Sequence, residues 1–215
     1  MQFSGSGFAD DAEIYLGDCY FRRGEFLLAA YEYENLKRRM ASSPLVPLAQ
    51  YKLALCYYSL SPKSSLDQKY TTKAIDEFQA FLEYHPQHDS AKISAEKIRR
   101  LNTRLAKKEF DIALLYVALE EYQSAQHYFE KLLERFHDTE YAEQAQLEIV
   151  ELWITRNKYD KAKESLDLFF QKYPASSSRE KAESLRNEIE THILQQQTSD
   201  SNSEPKNSAT VEQRR

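Results

Sequence analysis

Glycine is scarce and confined, with all four residues, Gly5, Gly7, Gly17 and Gly24, falling in the first 24 positions of a 215-residue chain. A phosphate-cradling loop needs glycine where the backbone must approach its ligand, so residues 25–215 hold no Walker or dinucleotide fingerprint. Cysteine is limited to Cys19 and Cys56, 37 residues apart. A disulfide between them would have to cross between stacked units, so the pair says nothing about an oxidising compartment, and both are expected to pack as small buried apolar residues. Basic excess is absent too: the net charge is -5 and the isoelectric point about 5.7. A nucleic-acid binder would need that excess to displace counterions.

Long apolar runs are missing, so the chain does not span a membrane as written. Its first four residues, MQFS, lack the basic start of a signal peptide, and no apolar middle follows them. Catalytic constellations are missing as well. The five histidines, His85, His88, His127, His137 and His192, lack further rigidly held ligands for a metal. No serine is spaced with a histidine and an acid. Glu120 and Glu121 form an acidic pair, but at an exposed turn where carboxylates keep ordinary acidity. The expectation is a binding protein and not an enzyme, with no cofactor and no metal.

What is present is a repeat. The stretch from Phe110 to Asp138, FDIALLYVALEEYQSAQHYFEKLLERFHD, reads as two short helices folded back about Glu120 and Glu121. Ala113, Tyr116, Tyr122 and Ala125 give it a small-aromatic-aromatic-small signature, in which small residues let two backbones approach and aromatics fill the groove beside them. Gly17, Tyr20, Phe26 and Ala29 repeat the offsets, as do Val150, Trp153, Tyr159 and Ala162. Ala54 and Tyr57 open a further copy that resumes at Ala74. Gly17 to Ala54 is 37 residues and Ala113 to Val150 is again 37, whereas Ala54 to Ala113 is 59. The excess divides into 8 extra residues between Ala54 and Ala74 and 14 before Ala113.

A helix-turn-helix period in the middle thirties is that of a tetratricopeptide array. The predicted fold is therefore all-α, a tetratricopeptide-like superhelical solenoid of four helical hairpins plus a C-terminal capping helix. The boundaries are a flexible lead-in at 1–8, a repeat domain at 9–196 and a disordered tail at 197–215. Within the domain, repeats fall at about 9–43, 47–88, 90–138 and 139–175, and the capping helix at 177–196. Asp10 or Asp11 is expected to cap the first helix. Ser65 with Gln68, or Asp67, is expected to cap the helix through Ala74, and Ser177 with Glu180 the last one. From Asp89 or Ser90 one helix of roughly 30 residues can run past Ala113, about 45 Å long. Its front half carries Lys92, Lys97, Arg99, Arg100, Arg104, Lys107 and Lys108. That run is either a solvated face or a match for a partner's acidic surface.

The two insertions carry a resemblance that the generic repeat does not. The run CYYSLSPKSSLDQKYTTKAIDEFQAFLEYHP (Cys56–Pro86), followed by IRRLNTRLAKKEFDIALLYVALEEYQSAQHYFEKLLERFHDT (Ile98–Thr139), resembles the BamD family of outer-membrane assembly lipoproteins. The likeness runs from about Ala9 to Pro174. It implies a non-enzymatic scaffold of the β-barrel assembly machinery on the periplasmic face of the outer membrane. The partners it implies are a BamA-type barrel protein with associated lipoproteins, and nascent outer-membrane proteins. Membrane contact would be only through a lipid anchor. That family's signal peptide, lipid-bearing cysteine and one leading repeat are not in this sequence, and neither Cys19 nor Cys56 is expected to carry the lipid.

Two candidate surfaces give this a physical form. Tyr51 and Tyr58 lie seven apart on one helix face, and Phe21 occupies the offset of Tyr58 in the preceding copy. Together they would line a groove for the aromatic-ended, extended segment of an unfolded barrel strand. Arg156, Lys158 and Lys161, near the last hairpin turn, would meet acidic residues of the partner domain. Two other readings stay open: a soluble tetratricopeptide adaptor or co-chaperone, and another periplasmic repeat protein of envelope maintenance. An in-frame upstream signal ending in a lipid-attachment cysteine would separate them.

Overall fold

The small residues that define the repeat are the residues that vanish from the surface. In a computed structural model of the chain, which describes residues 8–203, Ala29, Ala54, Ala74, Ala113, Ala125, Val150 and Ala162 are all fully buried. Each sits where two helices cross, so a side chain larger than a few atoms would hold the backbones apart. The helices in chain order are α1 (Ala9–Arg22), α2 (Phe26–Arg39), α3 (Val46–Leu60), α4 (Lys69–Tyr84), α5 (Ala91–Ala118), α6 (Tyr122–Arg135), α7 (Glu140–Thr155), α8 (Tyr159–Lys172) and α9 (Arg179–Ser203). No strand occurs among the described residues. The fold is all-α and of tetratricopeptide type, in four hairpins followed by α9. Prolines stop two of the second helices: α4 ends at Tyr84 before Pro86, and α8 at Lys172 before Pro174.

Three hairpin turns are the same device. Gly24, Glu120 and Asn157 stand seven residues after Gly17, Ala113 and Val150 and adopt left-handed backbone, with φ of 77°, 60° and 54°. In each, the next N–H reaches back to the recurring aromatic's carbonyl: Glu25 to Tyr20, Glu121 to Tyr116 and Lys158 to Trp153, at 2.8–2.9 Å. This is the paired-bond helix ending that satisfies the last carbonyls. In the second hairpin the equivalent residue, Ser61, is extended with ψ of 117°, and the insertion begins there.

The helix starts differ from the sequence reading at α1 and α9, and at α4 only the Asp67 alternative takes a terminal N–H. Asp10 lies inside the first turn of α1, where Oδ1 accepts the Asp11 N–H at 3.0 Å and Oδ2 the Ser43 hydroxyl at 2.6 Å, and the cap position is Phe8. Gln68 turns its amide into the preceding loop, bonding the carbonyls of Lys63 and Leu66 at 2.8 and 3.0 Å, while Asp67 accepts the Lys69 N–H at 3.0 Å. At α9, Ser176 rather than Ser177 takes the terminal N–H, that of Ser178, at 3.0 Å, and also donates to Glu143 at 2.5 Å. Local pattern overestimates such caps because a polar side chain goes to whichever donor the tertiary structure brings near. Helix α9 runs to Ser203, past the predicted end at 196, so residues 197–203 are helical rather than disordered. The lead-in 1–7 and the tail 204–215 lie outside the described residues.

Packing divides the chain into two compact units where the sequence reading draws one domain at 9–196. The first takes residues up to Ile112 together with Phe136–Tyr141; the second takes Ala113–Arg135 and residues from Ala142 onward. Repeat chains have no single shared core, which is why such a division arises. In the first unit, Tyr33, Leu36, Leu53 and Cys56 centre one cluster, and Phe78, Ala74 and Leu101 another. In the second, Val150, Leu166, Phe169 and Ile189 bind α7, α8 and α9 into one core.

Candidate functional site

At the α7–α8 turn the backbone makes its left-handed step at Asn157, and three cations near the turn gather around Trp153. The Arg156 guanidinium lies 5.0 Å from the indole, Lys158 Nζ 5.6 Å and Lys161 Nζ 4.9 Å. Trp153 is half-buried against the core of the second unit. Arg156 also donates to the Gln126 side chain at 3.5 Å, and none of the three cations has an ion pair among the described residues. An indole face holds cations at about 0.5–1 kcal/mol each when exposed, enough to orient them and too little to neutralise them. The result is a preset positive patch. The sequence names its three cations; it does not name the tryptophan that gathers them.

The residues proposed for a peptide groove separate into two settings. Tyr51 lies 5.5 Å from Phe81 and 6.2 Å from Phe78, and Tyr58 meets Phe78 edge-on at 6.3 Å with Lys97 Nζ 4.1 Å above its ring. Both therefore share one aromatic cluster. Burial pushes the Tyr51 phenol up. Phe21 instead packs edge-on to Phe26 at 5.1 Å and lines a cavity of about 200 Å3 with Arg22, Lys52 and Leu55.

The floor of that cavity is a network with no signature in the sequence. Asp18 accepts from Tyr33 Oη at 2.5 Å and from Lys52 Nζ at 2.6 Å through both oxygens. Burial works against the Asp18 charge, yet the Lys52 and Tyr33 hydrogen bonds outweigh it and hold the carboxyl below its ordinary value. The Tyr33 phenol is pushed well up, first by burial and then by Asp18. Lys52 stands 34 residues from Asp18, so no local motif reveals the pair.

The cysteines also part company. Cys56 is buried, as predicted, and burial pushes its thiol up to about 12. Cys19 is exposed, because it occupies the side of α1 that corresponds to the α2-facing side of α3. His85 packs tilted against Phe81 at 5.7 Å and His88 meets it edge-on at 5.2 Å. Among the described residues no group of three or more His, Cys, Asp or Glu is placed to hold a metal. No helix there is long and apolar enough to cross a membrane.

The family model for the YfiO outer membrane lipoproteins matches residues 1–123 and 116–213. The chain belongs to this family. Among curated relatives, the outer membrane protein assembly factor BamD of Rickettsia prowazekii (strain Madrid E) is 28% identical over 131 residues. That match takes in 61% of this chain and 52% of the relative, so the chain spans about half of the length of the relative it matches. Among solved structures, a thermophilic tetratricopeptide protein of Thermus thermophilus aligns over 86% of this chain and 100% of its own, with 17% identity and a TM-score of 0.33. A tetratricopeptide repeat protein from Parabacteroides merdae aligns over 93% and 82%, with 15% identity and a TM-score of 0.33.

Proposed function

We propose that this YfiO-family chain is a non-enzymatic scaffold of outer-membrane β-barrel assembly, acting at the periplasmic face of the outer membrane. In this reading it binds the periplasmic domains of a BamA-type barrel protein and receives unfolded barrel substrates. Family membership and the name of the Rickettsia relative support the setting. The observation that carries the binding role is Trp153 with three cations gathered on it and no acid to neutralise them. A partner's carboxylates would meet charges already oriented, losing little side-chain entropy on docking and gaining association rate from the field. The cavity beside Phe21, with Arg22 and Lys52 at an apolar wall, supports a role in holding the end of an extended aromatic segment.

The test is a titration of the full chain with the periplasmic domains of the same organism's barrel-assembly protein. Reversing Arg156→Glu and Lys158→Glu together is expected to weaken binding by roughly tenfold or more. Unchanged affinity would remove this corner from the interface. An upstream reading frame carrying a signal and a lipid-attachment cysteine would support the envelope setting independently.

A further inference from the structure

The two sequence insertions, which the repeat itself does not require, meet in space. The loop after α3 and the middle of α5 are separated by about 40 residues in the chain, yet Arg104 donates to Ser61 at 3.0 Å (carbonyl) and 2.5 Å (hydroxyl), and Lys108 donates to the Leu66 carbonyl at 2.8 Å. Buried Gln68 closes the loop from inside. What they enclose is an open groove of about 410 Å3, lined by Lys63, Arg100, Arg104 and Lys107 and bordered by Thr103 and Tyr141. No carboxylate lines it, in a chain whose net charge is -5.

Holding the loop accounts for Lys108 and for Nη1 of Arg104, but not for the rest of that guanidinium or for the other cations. The Lys63 side chain has no hydrogen bond or ion pair among the described residues. Arg100 pairs with Glu96 at 2.7 Å and lies by the Tyr58 phenol, and Lys107 pairs with Asp111 at 2.9 Å. Both ion pairs are exposed neighbours on one helix, worth a few tenths of a kcal/mol, so an incoming anion exchanges with them at little cost. Arg100, Arg104 and Lys107 form a row roughly 10 Å long, with adjacent members about 5–6 Å apart. Side chains on one face of an extended strand repeat every 6.6 Å or so, close to that spacing. The Tyr141 ring, resting on Phe110 at 5.7 Å, adds an apolar border.

We propose that this groove docks an extended acidic segment of a partner protein, with carboxylates at alternate residues set against Arg100, Arg104 and Lys107 and with Lys63 closing over them. A row on an open surface suits a chain better than it suits a single small anion. The site shares no residue with the Trp153 corner, so the two readings stand or fall separately.

The experiment titrates the full chain against a fluorescent synthetic peptide of alternating glutamate and valine, with a lysine-valine peptide as control. The acidic peptide is expected to bind, to weaken as salt rises, and to lose roughly tenfold in affinity with Arg100→Glu/Lys107→Glu while the melting curve stays put. If the double variant does not fold, Lys63→Glu on the exposed loop carries the same expectation. Equal binding of the two peptides would overturn the proposal, and so would acidic-peptide binding that neither reversal weakens. Capture of the chain by phosphatidylglycerol vesicles in place of the peptide, abolished by the same reversals, would overturn it in favour of a lipid headgroup site.

Discussion

Helices α1 and α3 occupy the same place in successive repeats and meet opposite surroundings. On α3, Ala49, Leu53 and Cys56 form a stripe 0–1% exposed, packed on Ala30, Tyr33 and Leu36 of α2. On α1 the equivalent stripe, Ala12, Leu16 and Cys19, is exposed, with Leu16 at 43%. The same positions on α7, Ala145, Ile149 and Leu152, are buried again. Sequence is nearly constant across the three stripes; the neighbour is not. In a repeat protein, burial belongs to the interface between hairpins more than to the residue.

Four measurements press on that contrast. The largest effect is chemical: in the native chain a thiol reagent should modify Cys19 at least roughly a hundredfold faster than Cys56, whose thiol is buried and pushed up to about 12. Comparable rates would mean that α3 is not sealed by α2. Next, Leu53→Ala should cost about 2–5 kcal/mol in denaturant unfolding, whereas Leu16→Ala should stay within about 0.5–1 kcal/mol. Similar losses at both sites would show α1 covered in solution.

Gly17 comes third. A Cβ there would fall 2.5 Å from Cε1 of Tyr33, so this first copy needs glycine where later copies take Ala54, Ala113 and Val150. Gly17→Ala should destabilise by about 1–3 kcal/mol through displacement of the Tyr33 ring, and a more stable variant would refute the close approach. The smallest effect is Asp18→Asn, about 1 kcal/mol at neutral pH. Because the folded-state value is depressed, the Asp18 contribution is present above the ordinary carboxylate value of 3.8 and fades as pH falls through the lower folded value. The gap between wild type and Asp18→Asn should therefore close in acid, and a gap that widens there would contradict the Lys52 and Tyr33 bonds.

The register of the hairpins was legible because close helix crossings tolerate only small residues, and those recur at a countable spacing. The left-handed turn was half legible: Gly24 signals it, but Glu120 and Asn157 adopt the same backbone without glycine, held by the bonds to Tyr116 and Trp153. The cations Arg156, Lys158 and Lys161 could be named in advance; their convergence on one indole could not, since it depends on how α8 folds back along α7. Phe21 and Tyr58 share a repeat offset yet stand in different settings, one beside a charged network and one beneath a lysine. Equivalence in register does not carry equivalence in surroundings.

Sequence by itself determined that this chain is helical and which small residues are buried in its hairpins. Periodicity and side-chain size are local properties, and they suffice for those. Only the tertiary structure decided that Lys52 reaches Asp18, that α3 is sealed and α1 open, and that a loop and a distant helix share one basic groove. Those outcomes depend on which polar groups and apolar faces come within a few ångströms of each other once the hairpins pack, and sequence separation of 34 or 43 residues leaves no trace of that distance.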